Sequence, residues 1–570
     1  MGNGQSRRPR RPDGGRASIQ AGVQPAAGGI PRYVRPAPPA SPGLGADVRR
    51  SASARGSAAL ARTAAELRRV TVDATFEALI AGLPGAQLVR TTTSAIEDIV
   101  HDSRDVRPGS CFVCRRGLRV DGHDYVPAAL AAGAAAIVAE RPIETPAKVG
   151  LAIVPDGRVA LASLARRFWG EPDRRLGLIG VTGTDGKTST SRLIAWMLGA
   201  YVPGVGELTT VNTRAAGADL KKSGRLTTPE APTVARLLAR MVQGGDAWAV
   251  VEVASHALEL ARVDGFAFDR AVITNVTHEH LDLHGSLEAY RAAKRRLLDL
   301  LDQSPDDGRG KAAVLNADDP VTAGFAHGCP VDVLTFGITH PADVSARYAG
   351  TTSNGLVVAG SSPWGHWEAH THLRGRWNVA NVAAAVACVG SITGDVSCGV
   401  ERLASFAPVK GRMETIALGQ PFQVIVDFAH TPAALAACLA EVRAYTPGRV
   451  LAVFGSAGDQ DEAKRPMLGR AAAAGADVAI VTNEDPRRED PGDIARAVVA
   501  GSAGGGARFE TIHDRREAIA RAFELARAGD TVVLAGKGHE QSIQFADREE
   551  PWDEATAARD ALANLGYSGG

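Results

Sequence analysis

The feature that most limits what this chain can fold into is a strand-turn-helix junction around residues 176–198. The apolar run Leu176-Gly177-Leu178-Ile179-Gly180-Val181 reads as a buried strand. It leads directly into Thr182-Gly183-Thr184-Asp185-Gly186-Lys187-Thr188 and then into STSRLIAWML, which reads as a helix. Glycines let the backbone turn sharply enough for several N–H groups to point at phosphate oxygens. The helix N-terminus behind them adds the positive end of its dipole. In such a loop Lys187 reaches the β- and γ-phosphates and Thr188 ligates Mg²⁺. The full consensus G-x-x-x-x-G-K-[ST] is not met, because Val181 stands where its first Gly belongs, and the shorter G-T-x-G-K-T remains.

Strand-helix alternation continues on both sides. Residues 62–173 carry AIEDIVHDSR, SCFVCRRG and YVPAALAAGAAAIVAE, a compact α/β domain. Residues 174–409 form a second unit around the phosphate loop. Residues 410–570 form a third, with strands FQVIVDF, RVLAVFG, ADVAIVTN and TVVLAGKG between Ala-rich helices. The fold class expected is α/β, with parallel sheets whose ligands sit at the carboxyl ends of the strands. Residues 1–61 are rich in Arg, Pro and Gly without periodicity, and a disordered extension is expected there.

Charge and cysteines exclude several classes. The net charge of +1 conceals ten Arg and two acids in residues 1–60, which leaves 54 basic against 61 acidic side chains in the rest. That body is not a nucleic-acid binder. Six cysteines in 570 residues argue against a disulfide scaffold, and Cys111 and Cys114 read as the core of a strand. No apolar run is long enough for a membrane span and no signal peptide is evident. A cytoplasmic protein without membrane or nucleic-acid partners, and a monomer, is expected.

From His101 to Trp552 the chain resembles the Mur ligase family, whose loop typically reads T-G-T-N-G-K-T; Asp185 replaces the Asn. The resemblance implies three domains: a small UDP-binding domain, a central phosphate-loop ATPase domain and a C-terminal Rossmann-like domain. Asp102-Ser103-Arg104 and Asp121-Gly122-His123 look like the uridine-binding segment, with Ser103 on the uracil or ribose. Leu226-Thr227-Thr228-Pro229 resembles a substrate-binding T-T-P segment. In Glu252-Val253-Ala254-Ser255-His256, Glu252 is placed as a Mg²⁺ ligand and Ser255 as a substrate contact, while Ala254 replaces the usual Ser. Arg262 then binds the pyrophosphate or the peptide carboxylate. His280 looks like a ligand of a second Mg²⁺, with Glu279 in place of Asp. Lys294 aligns with a lysine that CO₂ carbamylates, which turns a cation into an anionic oxygen donor for that metal. Asn316, Asp318 and Asn378 look like adenine and ribose contacts, and Asp427 and His430 like residues that close on ATP. With Gly183, Thr184 and Gly186 they complete the ATP set. Arg412 would place positive charge near the γ-phosphate.

The third domain carries the family's amino-acid site. Glu484-Asp485-Pro486-Arg487 stands where diaminopimelate-adding members have D-N-P-R, and Gln460 where an Arg usually grips a carboxylate. Gly536 and Glu540, in G-K-G-H-E, close the pocket, with Glu540 set for an ammonium. The site gains a carboxylate and loses a guanidinium, which leans toward lysine or ornithine. Arg487 leans toward meso-diaminopimelate.

The implied reaction is ATP-dependent addition of a diamino acid to UDP-MurNAc-L-Ala-D-Glu through an acyl phosphate, in peptidoglycan synthesis, with ATP, two Mg²⁺ and the Lys294 carbamate as cofactors. Two alternatives stay open. One is another ligase of the superfamily, such as a folylpolyglutamate synthase. The other is an ATP-binding module without ligase activity.

Overall fold

In the computed structural model the strand Gly177–Thr182 is buried along its whole length. It pairs in parallel with Trp248–Glu252 on one side and Arg270–Ile273 on the other. The chain passes from Gly177–Thr182 to Val205–Leu208 on one side and from Trp248–Glu252 to Arg270–Ile273 on the other, and crossovers in opposite directions open a crevice at the carboxyl ends of these strands. The structure describes residues 75–568 apart from 118–119, 221–225, 278–283 and 353–354. These all belong to one unit, residues 64–570. The extension expected over residues 1–61 lies outside the described residues.

Three large sheets, beside a two-stranded one formed by Ser542–Gln544 and Glu549–Pro551, organise the described chain. The first has five strands in the order Gln87–Arg90, Gly150–Ile153, Ala136–Ala139, Ser110–Val113, Asp98–Val100; only Gln87–Arg90 is antiparallel. Cys111 and Cys114 are buried free thiols, and burial pushes Cys114 up to about 12. Both are core residues, as the sequence suggested.

The central sheet has eleven strands. Its middle is parallel and extends through Ala312–Asn316 and Asp332–Gly337. Its margins are not parallel, contrary to the expectation: Val344–Thr352, Gly355–Ser362 and Gly365–His370 form antiparallel hairpins. In the outermost strand Trp367 and Ala369 are buried while His366, Glu368 and His370 are exposed. A sheet wetted on one face needs only hairpins, not crossover helices. The helix Lys187–Leu198 packs on Asn378–Thr393 through Leu193, Ile194, Met197, Val382, Val386 and Val389, all fully buried. Burying each stabilises the fold by about 2 kcal/mol. The run of alanines at 383–385 lets the two helices approach closely.

The third sheet has six strands in the order Glu414–Ile416, Gln423–Asp427, Thr531–Ala535, Val450–Phe454, Val478–Val481, Arg508–Thr511. All but the first are parallel. The loops at their carboxyl ends carry Phe428, Gln460, Glu484–Arg487 and Lys537–Glu540. Arg515 holds two of these loops together: it donates to Ala535 O at 2.8 Å and Asn483 O at 3.2 Å. Its charge is met by Glu554 at 2.7 Å, and neither side chain is exposed. Among the described residues no helix is long and apolar enough to cross a membrane.

Candidate active site

Gly183 (φ +150°) and Gly186 (φ +83°) shape the phosphate loop. A Cβ at Gly183 would sit 1.8 Å from Thr274 Oγ1, and one at Gly186 2.4 Å from Asn381 Oδ1. Only glycine fits either position. Asn275 pins the loop: its Oδ1 accepts from Asp185 N at 2.9 Å and its Nδ2 donates to Asp185 O at 3.2 Å. The Asp185 residue itself is exposed, so its carboxylate faces solvent rather than the loop interior. Lys187 Nζ folds back onto Thr184 O at 2.7 Å and Gly183 O at 3.1 Å. Thr188 Oγ1 lies 3.0 Å from both oxygens of Glu252, which is 1% exposed and also accepts from Thr210 N at 2.8 Å. A buried carboxylate beside a threonine hydroxyl is a hard-oxygen pair suited to Mg²⁺ next to phosphate.

Ser286 caps the helix Leu287–Gln303, and Tyr290, Lys294, Leu297, Leu298 and Leu301 share its buried face. Lys294 thus sits in an apolar stripe, 1% exposed, with Nζ 2.6 Å from Gly183 O and 4.5 Å from the Tyr290 ring centre. His280 lies outside the described residues.

One cleft of about 1420 Å³ joins this loop to the third sheet. It is lined by Thr184, Asp185, Gly186, Lys187, Thr188, Glu252 and Lys294 on one side, and by Arg412, Asp427, His430, Gln460, Glu484, Asp485, Arg487 and Glu540 on the other. Thr227, Thr228, Ser255, Arg262, Asn316, Asp318 and Asn378 also line it. Gly183, Pro486, Gly536 and Ser103 do not. Ser103 lies in the N-terminal lobe, in a short turn that Asp102 caps.

Several expected contacts are already committed within the protein. Thr228 Oγ1, fully buried, donates to Glu252 O at 2.8 Å and accepts from Ala254 N at 3.0 Å, so it fixes the backbone at Glu252 rather than offering a free hydroxyl to substrate. Burial opposes ionisation of Asp318, but donors from Thr339, Ile338 and His340 outweigh it and bring the carboxyl to about 2. It fixes that turn rather than offering a vacant acceptor for ribose. Asn316 spans Thr274 O and Asp318 N at 2.8 Å each, and Asn378 spans Arg374 O at 2.7 Å and Asn381 Nδ2 at 2.8 Å. His123 bridges Asp121 and Glu140 N and is 6% exposed. By contrast the Ser255 hydroxyl is buried in the cleft wall and finds no hydrogen-bond partner among the described residues.

Phe428 was not singled out in the sequence. Its ring lies 4.6 Å from the Arg412 guanidinium, 4.4 Å from the His430 ring and 4.8 Å from that of His539. It gathers three cationic or titratable groups around one aromatic ring. Asp427, beside it, is buried and its carboxyl is pushed up by desolvation, against the nearby Arg412 charge.

In the amino-acid site the buried Lys537 ammonium joins Asp485 at 2.9 Å to Glu540 at 2.5 Å. Gln544 N also donates to Asp485 at 2.9 Å. One ammonium thus serves two carboxylates: the extra Asp485 counted in the sequence is partnered inside the protein, and so is Glu540, which was expected to take the substrate's ammonium. Glu484 Oε2 and Arg487 Nε are buried and find no hydrogen-bond partner among the described residues. Six described non-glycine residues have positive φ; one is Arg487 (+54°), and Ala261, Met413 and Asp459 adjoin Arg262, Arg412 and Gln460. Backbone strain of about 1 kcal/mol or more at each is characteristic of sites held for function.

Comparison with known proteins agrees with this geometry. Residues 181–389 match the Mur ligase middle domain, 411–538 the Mur ligase glutamate ligase domain, and 95–169 the Mur ligase family catalytic domain. The chain belongs to the Mur ligase family. It is an ATP-dependent ligase with the family's three-domain architecture. This Mur ligase is 46% identical over 490 residues to a UDP-N-acetylmuramyl-tripeptide synthetase of Roseiflexus sp., covering 83% of this chain and 96% of that one. It is 41% identical to a UDP-N-acetylmuramoyl-L-alanyl-D-glutamate–2,6-diaminopimelate ligase of Geobacillus thermodenitrificans, covering 85% and 99%. A solved structure with that ligase's name superposes with a TM-score of 0.59 at 30% identity, covering 87% of this chain and all of that one.

Proposed function

We propose that this Mur ligase adds a diamino acid, meso-diaminopimelate above lysine or ornithine, to the D-glutamyl carboxyl of UDP-N-acetylmuramoyl-L-alanyl-D-glutamate. The observation that carries the choice of amino acid is the pair of buried, unsatisfied groups on one cleft wall, Glu484 Oε2 and Arg487 Nε. A side chain ending in both ammonium and carboxylate satisfies both; lysine or ornithine leaves the guanidinium without an anion. The lean toward lysine counted Asp485 as an available charge, and Lys537 has taken it. The names of the relatives point the same way.

ATP is the phosphoryl donor. Lys187 and the backbone of residues 183–188 hold its phosphates, with Arg412 facing them from the third domain. Thr188 and Glu252 would hold Mg²⁺, which when bound offsets negative charge on the phosphates. Thr227, Ser255 and Arg262 orient the sugar peptide, and Ser103 takes its uridine in the N-terminal domain. The D-glutamyl carboxylate attacks the γ-phosphorus and ADP leaves. The amino acid's neutral α-amine then attacks the acyl carbon, phosphate leaves, and one amine proton is lost as the amide forms. Lys294 acts as a carbamate, formed when its neutral amine adds CO₂ and releases one proton. Its Nζ lies 2.6 Å from Gly183 O in the cleft wall, where an anionic oxygen donor would face the phosphate loop. Domain boundaries at 61/62, 173/174 and 409/410 fit this division of labour.

The test is parallel incorporation of meso-diaminopimelate, lysine and ornithine by the purified protein with ATP and the UDP-dipeptide. Diaminopimelate should exceed the others by at least about tenfold in kcat/KM, and Arg487→Ala should erase the advantage. Equal incorporation of all three contradicts the amino-acid assignment; no incorporation of any contradicts the ligase reading itself.

A further inference from the structure

Glu230 follows Thr227-Thr228-Pro229 and occupies the N-cap position of the helix Ala231–Gly244, yet its side chain makes no capping bond. It reaches instead to two arginines. Its Oε1 accepts from Arg262 Nε at 3.0 Å and its Oε2 from Arg115 at 2.9 Å. Arg115 belongs to the N-terminal lobe, just beyond the strand Ser110–Val113. All three side chains are largely buried, at 21%, 17% and 10% exposure for Arg115, Glu230 and Arg262. Arg262 also donates to Thr228 O at 3.3 Å, and Thr228 Oγ1 donates to Glu252 O at 2.8 Å. A set of contacts therefore runs from the lobe that carries Ser103 to the backbone of Glu252, beside the phosphate loop.

Two guanidiniums share one carboxylate, and of the three residues Arg262 lines the cleft, where its charge suits an incoming anion. Removing the carboxylate would leave two buried cations facing each other. Burial opposes ionisation of Glu230, but the Arg262 and Arg115 charges outweigh it and hold its carboxyl below the usual range.

We propose that Glu230 is a positioning residue for the nucleotide-sugar peptide: it fixes the Arg262 guanidinium against the cleft and, through Arg115, joins that grip to the N-terminal lobe. This rests on the reading that Arg262 contacts the UDP-dipeptide, and the test separates the two. Steady-state kinetics of the full chain are compared for the wild type, Glu230→Gln, Arg262→Ala and the double variant, with Glu230→Asp as the conservative change. Glu230→Gln should raise KM for the UDP-dipeptide about tenfold, with KM for ATP and the amino acid unchanged. The double variant should be no worse than Arg262→Ala alone, and Glu230→Asp should show a smaller rise. If Arg262→Ala raises that KM but neither Glu230 variant does, or if the two effects simply multiply, the positioning role is wrong. If Arg262→Ala itself leaves the KM unchanged, the underlying substrate assignment fails instead. Should Glu230→Gln not fold, Glu230→Asp keeps the charge, and an unchanged KM in it overturns the proposal.

Discussion

Lys537 donates to Asp485 across 2.9 Å from a position with no solvent exposure. That single bond decides how the amino-acid site reads, because it converts an apparent surplus of negative charge into an internal ion pair. Asp485→Asn should accordingly leave diaminopimelate as substrate, with KM changed by less than about threefold. Lys537→Met strands two buried carboxylates and should cost about 3 kcal/mol of stability. Thermal unfolding of both variants, beside their kinetics, checks the pair; a strongly impaired Asp485→Asn would mean the carboxylate itself touches substrate.

The phosphate loop makes a steric prediction. Gly186→Ala places a methyl 2.4 Å from Asn381 Oδ1, and Asn381 is held by Thr190 at 3.2 Å and by Asn378. KM for ATP should rise by about tenfold or more, with little change in KM for the sugar peptide. Thr188→Val removes the hydroxyl beside Glu252 and should raise the Mg²⁺ concentration for half-maximal activity by about tenfold. Nucleotide and magnesium titrations distinguish the two effects.

Glu540 supplies a pH dependence. Burial raises its carboxyl above the ordinary 4.5, against the lowering effect of Lys537. Ionised, it holds the Lys537 ammonium at 2.5 Å and so keeps the pocket wall in place for the amino acid. KM for the amino acid should therefore be high below the raised value, fall as pH rises through it, and show its limb above 4.5. Glu540→Gln should remove that limb. The same shift has a stability sign: ionising Glu540 in the folded state becomes destabilising as pH rises from 4.5 through the folded value.

The proposal that Lys294 acts as a carbamate predicts that native mass spectrometry finds one added CO₂ at this residue. Lys294→Ala should lose activity by about a hundredfold or more and regain part of it with acetate or formate. An unmodified Lys294 in fully active enzyme would contradict the role.

Much of this was legible in the sequence, and for identifiable reasons. The phosphate loop was, because glycines and a lysine at fixed offsets between an apolar strand and a helix have few other uses. The parallel strands of the third sheet were, because they are continuous apolar runs bounded by loops. Lys294 was visible only through the family resemblance; its place in the buried stripe with Tyr290, Leu297 and Leu301 is the physical signal that supports it. What the sequence concealed was pairing. Nothing in it tells that Lys537 has claimed Asp485, that Asp318 is saturated by the turn at residues 338–340, or that Phe428 gathers Arg412, His430 and His539. Those depend on tertiary contacts between residues far apart in the chain. The positive φ of Arg487 was equally hidden, since local propensity gives an arginine no reason to adopt it.

The central claim is that ATP at residues 183–188 activates a carboxyl group of the UDP-dipeptide for attack by a diamino acid. Phosphate release by the purified protein, measured with each substrate omitted in turn, tests it most directly. The account predicts sustained release only when ATP, the UDP-dipeptide and diaminopimelate are all present, and its loss in Lys187→Ala. Release that continues at the same rate without the dipeptide or without the amino acid would contradict it.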